Sequence, residues 1–123
     1  MQNHQVACLV EQRDAKCNRV DHLDVSGTPA RSSASHAAAL PSLGARPSAV
    51  VLDPARAGCH PDVLRALLDA GPARIVYVSC DPSTLARDLR TLLAGGYAIE
   101  SMALADLFPQ TFHLETVVRL RRT

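Results

Sequence analysis

Two apolar, β-branched runs, each giving way to Asp-Pro and then to a helical pattern, limit what this chain can fold into. AVVLDP (Ala49–Pro54) is the first, and ARIVYVSC (Ala73–Cys80), leading into Asp81-Pro82, is the second. Neither alternates apolar with polar residues, so each fits a strand buried on both faces, as in parallel sheets. ARAGCH (Ala55–His60) reads as a loop, and PDVLRALLDAG (Pro61–Gly71) as a helix. Pro61 suits its first position, Val63, Leu64, Leu67 and Leu68 line one face, and Gly71 suits the C-terminal cap. Asp81 can cap a second helix with Pro82 at its first position. Leu85, Leu89, Leu92 and Leu93 share a stripe, and Gly95-Gly96 ends it. YAIESMALA (Tyr97–Ala105) then reads as a strand, DLFPQTFH (Asp106–His113) as a loop and LETVVRLRR (Leu114–Arg122) as a last strand. The order strand, helix, strand, helix, strand, strand is that of the second half of an open α/β sheet.

The grammar before Ser48 is different. Residues 1–47 hold no aromatic residue, and SGTPARSSASHAAALPSLGARP (Ser26–Pro47) has neither period 2 nor period 3.6. Such a composition cannot bury enough apolar surface to offset ordering, so residues 1–47 read as an irregular or disordered leader. Only QVACLVEQ (Gln5–Gln12) has the look of a short strand.

The totals exclude several classes. With 123 residues, the chain suits one small domain. A net charge of +1 advertises no general affinity for nucleic acid, so such a role must come from a specific site. No apolar run approaches the ~20 residues of a membrane helix, and the N-terminus is too polar for a secretory signal. A cytoplasmic monomer is expected. The four cysteines, Cys8, Cys17, Cys59 and Cys80, lack zinc or iron–sulfur spacing, and no metal is expected. Cys59-His60 alone supplies too few ligands.

Ligands of open α/β sheets bind beyond the carboxyl ends of the strands. Asp53 ends the first strand there and Cys80 the second. If the last strand runs antiparallel, Glu115 at its start reaches the same edge. Cys80 also precedes a helix N-terminus, which favours an anion. A thiolate beside a carboxylate base makes a catalytic pair. The structural alternative is a small buried hydrophobe, the usual fate of a cysteine. A thiol hydrolase using Cys80 with His113 is a further option.

Three segments, VVLDPARAG, YVSCDPSTLARDL and DLFPQTFHLETV, together resemble the C-terminal catalytic part of the RNA 5-methyluridine (uracil-C5) methyltransferases. The family pattern runs D-P-P-R-x-G, S-C-N-P-x-T-L-A-R-D, D-x-F-P-x-T-x-H-x-E. Asp53 to Cys80 is 27 residues and Cys80 to Glu115 is 35, a family-like separation. The resemblance implies a class I methyltransferase catalytic domain whose C-terminal part is residues 48–123, a partial Rossmann-like sheet with helices packed on it. It implies S-adenosyl-L-methionine as cofactor and tRNA or rRNA as substrate. It implies Cys80 as the nucleophile that adds to C6 of a flipped-out uridine, Glu115 as the base that removes the C5 proton, and Asp53 as a residue of the cofactor pocket. Arg56 and Arg87 are matched too, as phosphate contacts or loop buttresses; Arg87 also reads as a solvated helix residue. His113 shares Glu115's face if the strand begins there, and Phe108 and Phe112 are candidates for base stacking or packing.

The sequence departs from the pattern at Ala55, in place of the second proline, and at Asp81, where asparagine is common. Asp81 caps a helix as asparagine does, but its charge opposes a thiolate next door. No G-x-G-like turn follows a strand in residues 1–47, and no acid there suits a ribose. The chain therefore reads as a truncated enzyme of this family. The alternative is a catalytically inactive fragment or a partner piece that completes another chain.

Overall fold

The computed structural model describes residues 7–14, 17–24, 47–107, 109–110 and 114–123. Strands β1 (Ala7–Asp14), β2 (Cys17–Asp24), β3 (Ala49–Leu52), β4 (Arg74–Ser79), β5 (Tyr97–Asp106) and β6 (Leu114–Arg122) are joined by helices α1 (Pro61–Ala70) and α2 (Pro82–Ala94). The sheet runs in the order β2-β1-β3-β4-β6-β5. Only β3 and β4 are parallel; β6 lies antiparallel between β4 and β5. The fold is α/β, and β6 starts at the carboxyl edge of β4.

Local chemistry sets both helices. The Asp81 carboxylate accepts from the amides of Ser83 (2.8 Å) and Thr84 (3.1 Å), capping α2 as the sequence implies. His60 caps α1, its Nδ1 accepting from the Asp62 amide (3.2 Å). Gly71 ends α1 with φ 59° and ψ 50°, its N–H donating to the Leu67 carbonyl (3.0 Å). That left-handed conformation suits glycine. The Arg122 guanidinium, which donates to the Gly71 carbonyl (3.0 Å), fills the space a Cβ would need.

Alternation along the strands divides the sheet into two faces. Val50, Leu52, Ile75, Tyr77, Val118 and Leu120 are at most 1% exposed and pack with Leu64, Leu67, Leu85, Leu89 and Leu92 of the helices. Each fully buried aliphatic side chain contributes about 1.5–3 kcal/mol relative to its exposed state. Val51, Val76, Val78 and Val117, on the other face, are only half-buried. Leu93, placed by its spacing on the buried stripe of α2, is 41% exposed; Asp88 lies in the core instead.

The N-terminal residues differ from the expectation of an irregular leader. β1 and β2 pair antiparallel from Ala7↔Asp24 to Asp14↔Cys17, and β1 joins β3 through Leu9↔Val51 and Val10↔Val50. The short strand expected over Gln5–Gln12 overlaps β1; the remainder of the Ser26–Pro47 segment up to residue 46 lies outside the described residues. The physical reason is long-range: β3 has a free row of N–H and C=O groups on its outer side, and a paired strand satisfies it.

Candidate active site

Ser79 ends β4 opposite Thr116 of β6. Both are buried on the helix-covered face. Cys80 follows Ser79 and Glu115 precedes Thr116. In an antiparallel register these two residues are the next opposed pair, and alternation carries both to the other face. Directly opposed residues keep their Cβ atoms about 4.5–5.5 Å apart. Ala105 of β5 pairs with Glu115 from the far side. Cys80 is a free, half-buried thiol, and Glu115 is half-buried.

The turn at Cys80 is held locally. The Ser79 hydroxyl donates to the Asp81 carbonyl (2.9 Å) and accepts from the Asp81 amide (3.1 Å). These bonds close the backbone tightly around Cys80. The first amides of α2 are taken by the Asp81 carboxylate rather than aimed at the sulfur. The Thr84 amide foremost, with the Ser83 amide and the nearby Arg56 guanidinium, holds the Asp81 carboxyl below its ordinary range.

Asp53 follows Leu52, which pairs in register with Tyr77. Its place in the parallel register is therefore beside Val78, on the same face as Cys80, two residues before it. Asp53 is exposed. Asp53, Cys80 and Glu115 thus lie at one edge of the sheet, Asp53 and Cys80 directly after β3 and β4 and Glu115 as the second residue of β6. His113, Phe108 and Phe112 lie outside the described residues.

Sequence reasoning missed Asp88. This fully buried carboxylate accepts from the Cys59 amide (2.7 Å) and the Tyr77 hydroxyl, and pairs with the Arg87 guanidinium (2.9 Å). Burial first, with Cys59 and Asp88 beside it, pushes the Tyr77 phenol far above its ordinary range. The signal was present: Asp88 falls on the leucine stripe of α2, and an acid on an apolar stripe is buried with partners or not tolerated. Arg87 proves to be a buttress, donating to the carbonyls of Ala57 (2.8 Å) and Cys59 (3.3 Å). Cys59 and His60 serve the loop and the α1 cap. No cluster of three or more candidate metal ligands occurs among the described residues.

The profile of the family described as tRNA (uracil-5-)-methyltransferase matches residues 44–123. An uncharacterized RNA methyltransferase of Gloeobacter violaceus is 55% identical over 86 residues, 70% of this chain and 18% of that protein. Another, from Nitratidesulfovibrio vulgaris, is 60% identical over 74 residues, 60% of this chain and 16% of that protein. Among solved structures, the tRNA (uracil-54, C5)-methyltransferase of Pyrococcus abyssi in complex with S-adenosyl-L-homocysteine is similar with a TM-score of 0.57 and 42% identity, over 63% of this chain and 19% of that one. The chain thus spans under a fifth of the length of these relatives. With the family profile running through both parallel strands, both helices and the closing hairpin, the chain belongs to the tRNA (uracil-5-)-methyltransferase family.

Proposed function

We propose that this chain carries the catalytic edge of an RNA uridine C5 methyltransferase, which forms 5-methyluridine in tRNA or rRNA. The carrying observation is the antiparallel register of β4 and β6, whose last pair, Ser79↔Thr116, is followed by Cys80 on one strand and preceded by Glu115 on the other, at the carboxyl edge of β4. A uridine stacked in folded RNA must swing out to reach that edge. Cys80 adds its thiolate sulfur to C6, and the C5=C6 electron pair shifts toward C5 and the C4 carbonyl. When bound, S-adenosyl-L-methionine would supply an electrophilic methyl group to C5, its sulfonium leaving as the thioether S-adenosyl-L-homocysteine. Glu115 takes the C5 proton, the C6–sulfur bond breaks, the ring double bond returns and Cys80 is freed. A soft nucleophile suits reversible addition to a conjugated ring, and a carboxylate suits a proton made acidic by the adduct.

Asp53 fits one rim of a pocket for the donor. It is an exposed carboxylate at the end of a parallel strand, able to accept hydrogen bonds from amino or hydroxyl groups. RNA is the partner in this reading, and a cytoplasmic monomer the acting form; no described helix is long and apolar enough to cross a membrane.

Tritiated methyl transfer to unmodified tRNA and rRNA tests the proposal. Wild type should incorporate label and Cys80→Ala should not; label that persists in Cys80→Ala removes the nucleophile role. Glu115→Gln, unable to take the C5 proton, should accumulate an RNA adduct that survives denaturing electrophoresis. A second reading has the chain supply this edge to a site completed by another polypeptide. Calorimetric titration with S-adenosyl-L-methionine separates the two: saturable binding supports a self-contained site, and its absence the shared one.

A further inference from the structure

One face of the first two turns of α2 is bonded to the β3–α1 loop. Thr84, Arg87 and Asp88 stand at helical spacings of three and four, hence on one side. The Thr84 hydroxyl donates to the Arg56 carbonyl (2.8 Å), Arg87 to the Ala57 (2.8 Å) and Cys59 (3.3 Å) carbonyls, and Asp88 receives the Cys59 amide (2.7 Å). Tyr77, rising from β4, donates its hydroxyl to the same carboxylate and so ties the strand in. The loop is shaped to admit these groups. Gly58 adopts φ 78°, and a Cβ there would meet the Arg87 guanidinium at 2.6 Å and the Asp88 carboxylate at 2.7 Å. Its amide closes the turn on the Ala55 carbonyl (2.8 Å). Two stretches far apart in sequence, P-A-R-A-G and T-L-A-R-D, are thus two halves of one clasp.

The clasp sits between the proposed donor-pocket residue and the proposed nucleophile. Asp53 leads into the loop, and Cys80 leads into α2. We infer that Arg87 and Asp88 are positioning residues that lock the β3–α1 loop onto α2 and so hold Asp53 at a fixed offset from Cys80. The meaning of that offset rests on the proposed roles of Asp53 and Cys80; the clasp itself rests on the contacts alone. A groove of about 430 Å³ between α1 and α2, lined by Leu64, Arg65, Leu68, Arg87, Asp88 and Thr91 among others, includes neither Cys80 nor Glu115. Arg87 and Asp88 therefore act on the site through the loop.

Amide hydrogen exchange on the full chain, with the methyl-transfer assay beside it, tests this. In Asp88→Asn the Gly58 and Cys59 amides should exchange about tenfold faster or more, since a charge-assisted bond and its buried neighbours are lost, while β4 and β6 amides keep their rates. Methyl transfer should lose kcat with KM for RNA unchanged, because the nucleophile and base remain but the donor side shifts. Should Asp88→Asn fail to fold, Arg87→Gln carries the same test on a half-exposed side chain. Unchanged loop exchange overturns the clasp; equal acceleration throughout the sheet reduces Asp88 to a general stability role and overturns positioning. A wild type that transfers no methyl overturns the methyltransferase reading of the isolated chain, and exchange still decides the clasp.

Discussion

Asp81 stands next to the proposed nucleophile and is committed to the helix behind it. Its carboxylate holds the Ser83 and Thr84 amides, and these bonds keep its folded pKa below the ordinary value. The stability this contributes is present above the unfolded carboxyl range, about pH 3.9, and is lost as the pH falls below it through the lower folded value. Asp81→Asn keeps an acceptor for the cap and removes the titration. Its melting temperature should match wild type at pH 7, and thermal melts from neutral to acid pH should lack the Asp81 share of the acid loss. Acid branches that overlay would dismiss this account. At this level the sequence was informative where a residue's task is local, as for the Asp81 cap. Arg87 was legible only as a set of alternatives, phosphate contact, loop buttress or solvated position, because an exposed helix position looks the same whether its guanidinium meets water or a loop carbonyl; the structure selects the buttress.

The helices were legible as elements because their signals lie within four residues. Proline at the first turn and glycine after the last turn mark both helices, and Asp81 before Pro82 marks the start of α2; the His60 cap of α1 came only from the structure. Which residues of α2 face the core was less legible. Leu92 and Leu93 both fit the apolar stripe, yet Leu92 is fully buried and Leu93 is 41% exposed. Leu92→Ala should destabilise the chain by about 2–5 kcal/mol, whereas Leu93→Ala should cost under about 1 kcal/mol. Denaturant titration of both variants checks this; equal losses would mean the helix is rotated on the sheet.

Across the whole molecule, Tyr77 joins the sheet to the clasp. Its phenol is buried and titrates well above the ordinary range, foremost because burial disfavours the charged form. Here the folded value is raised, so its contribution is intact below about pH 10, the unfolded value, and falls as the pH climbs above it. Tyr77→Phe should flatten that alkaline decline. At neutral pH it should cost about 1–3 kcal/mol, since buried Asp88 loses a donor. Unfolding free energies from pH 8 to 11 measure both effects, and an unchanged alkaline slope would exclude Tyr77 as its source.

Motif spacing was sufficient to assign the family, because reaction chemistry restricts residue type at each place. Periodicity and caps were sufficient for the two helices and four of the strands, because those forces act between near neighbours. The partners of each strand were beyond their reach. That β6 inserts between β4 and β5, that β1 and β2 extend the sheet past β3, and that Asp88 lies buried under the loop all depend on contacts between distant residues. Pairing and burial arise from which surfaces meet in three dimensions, and a carboxylate's surroundings are defined only once they have met.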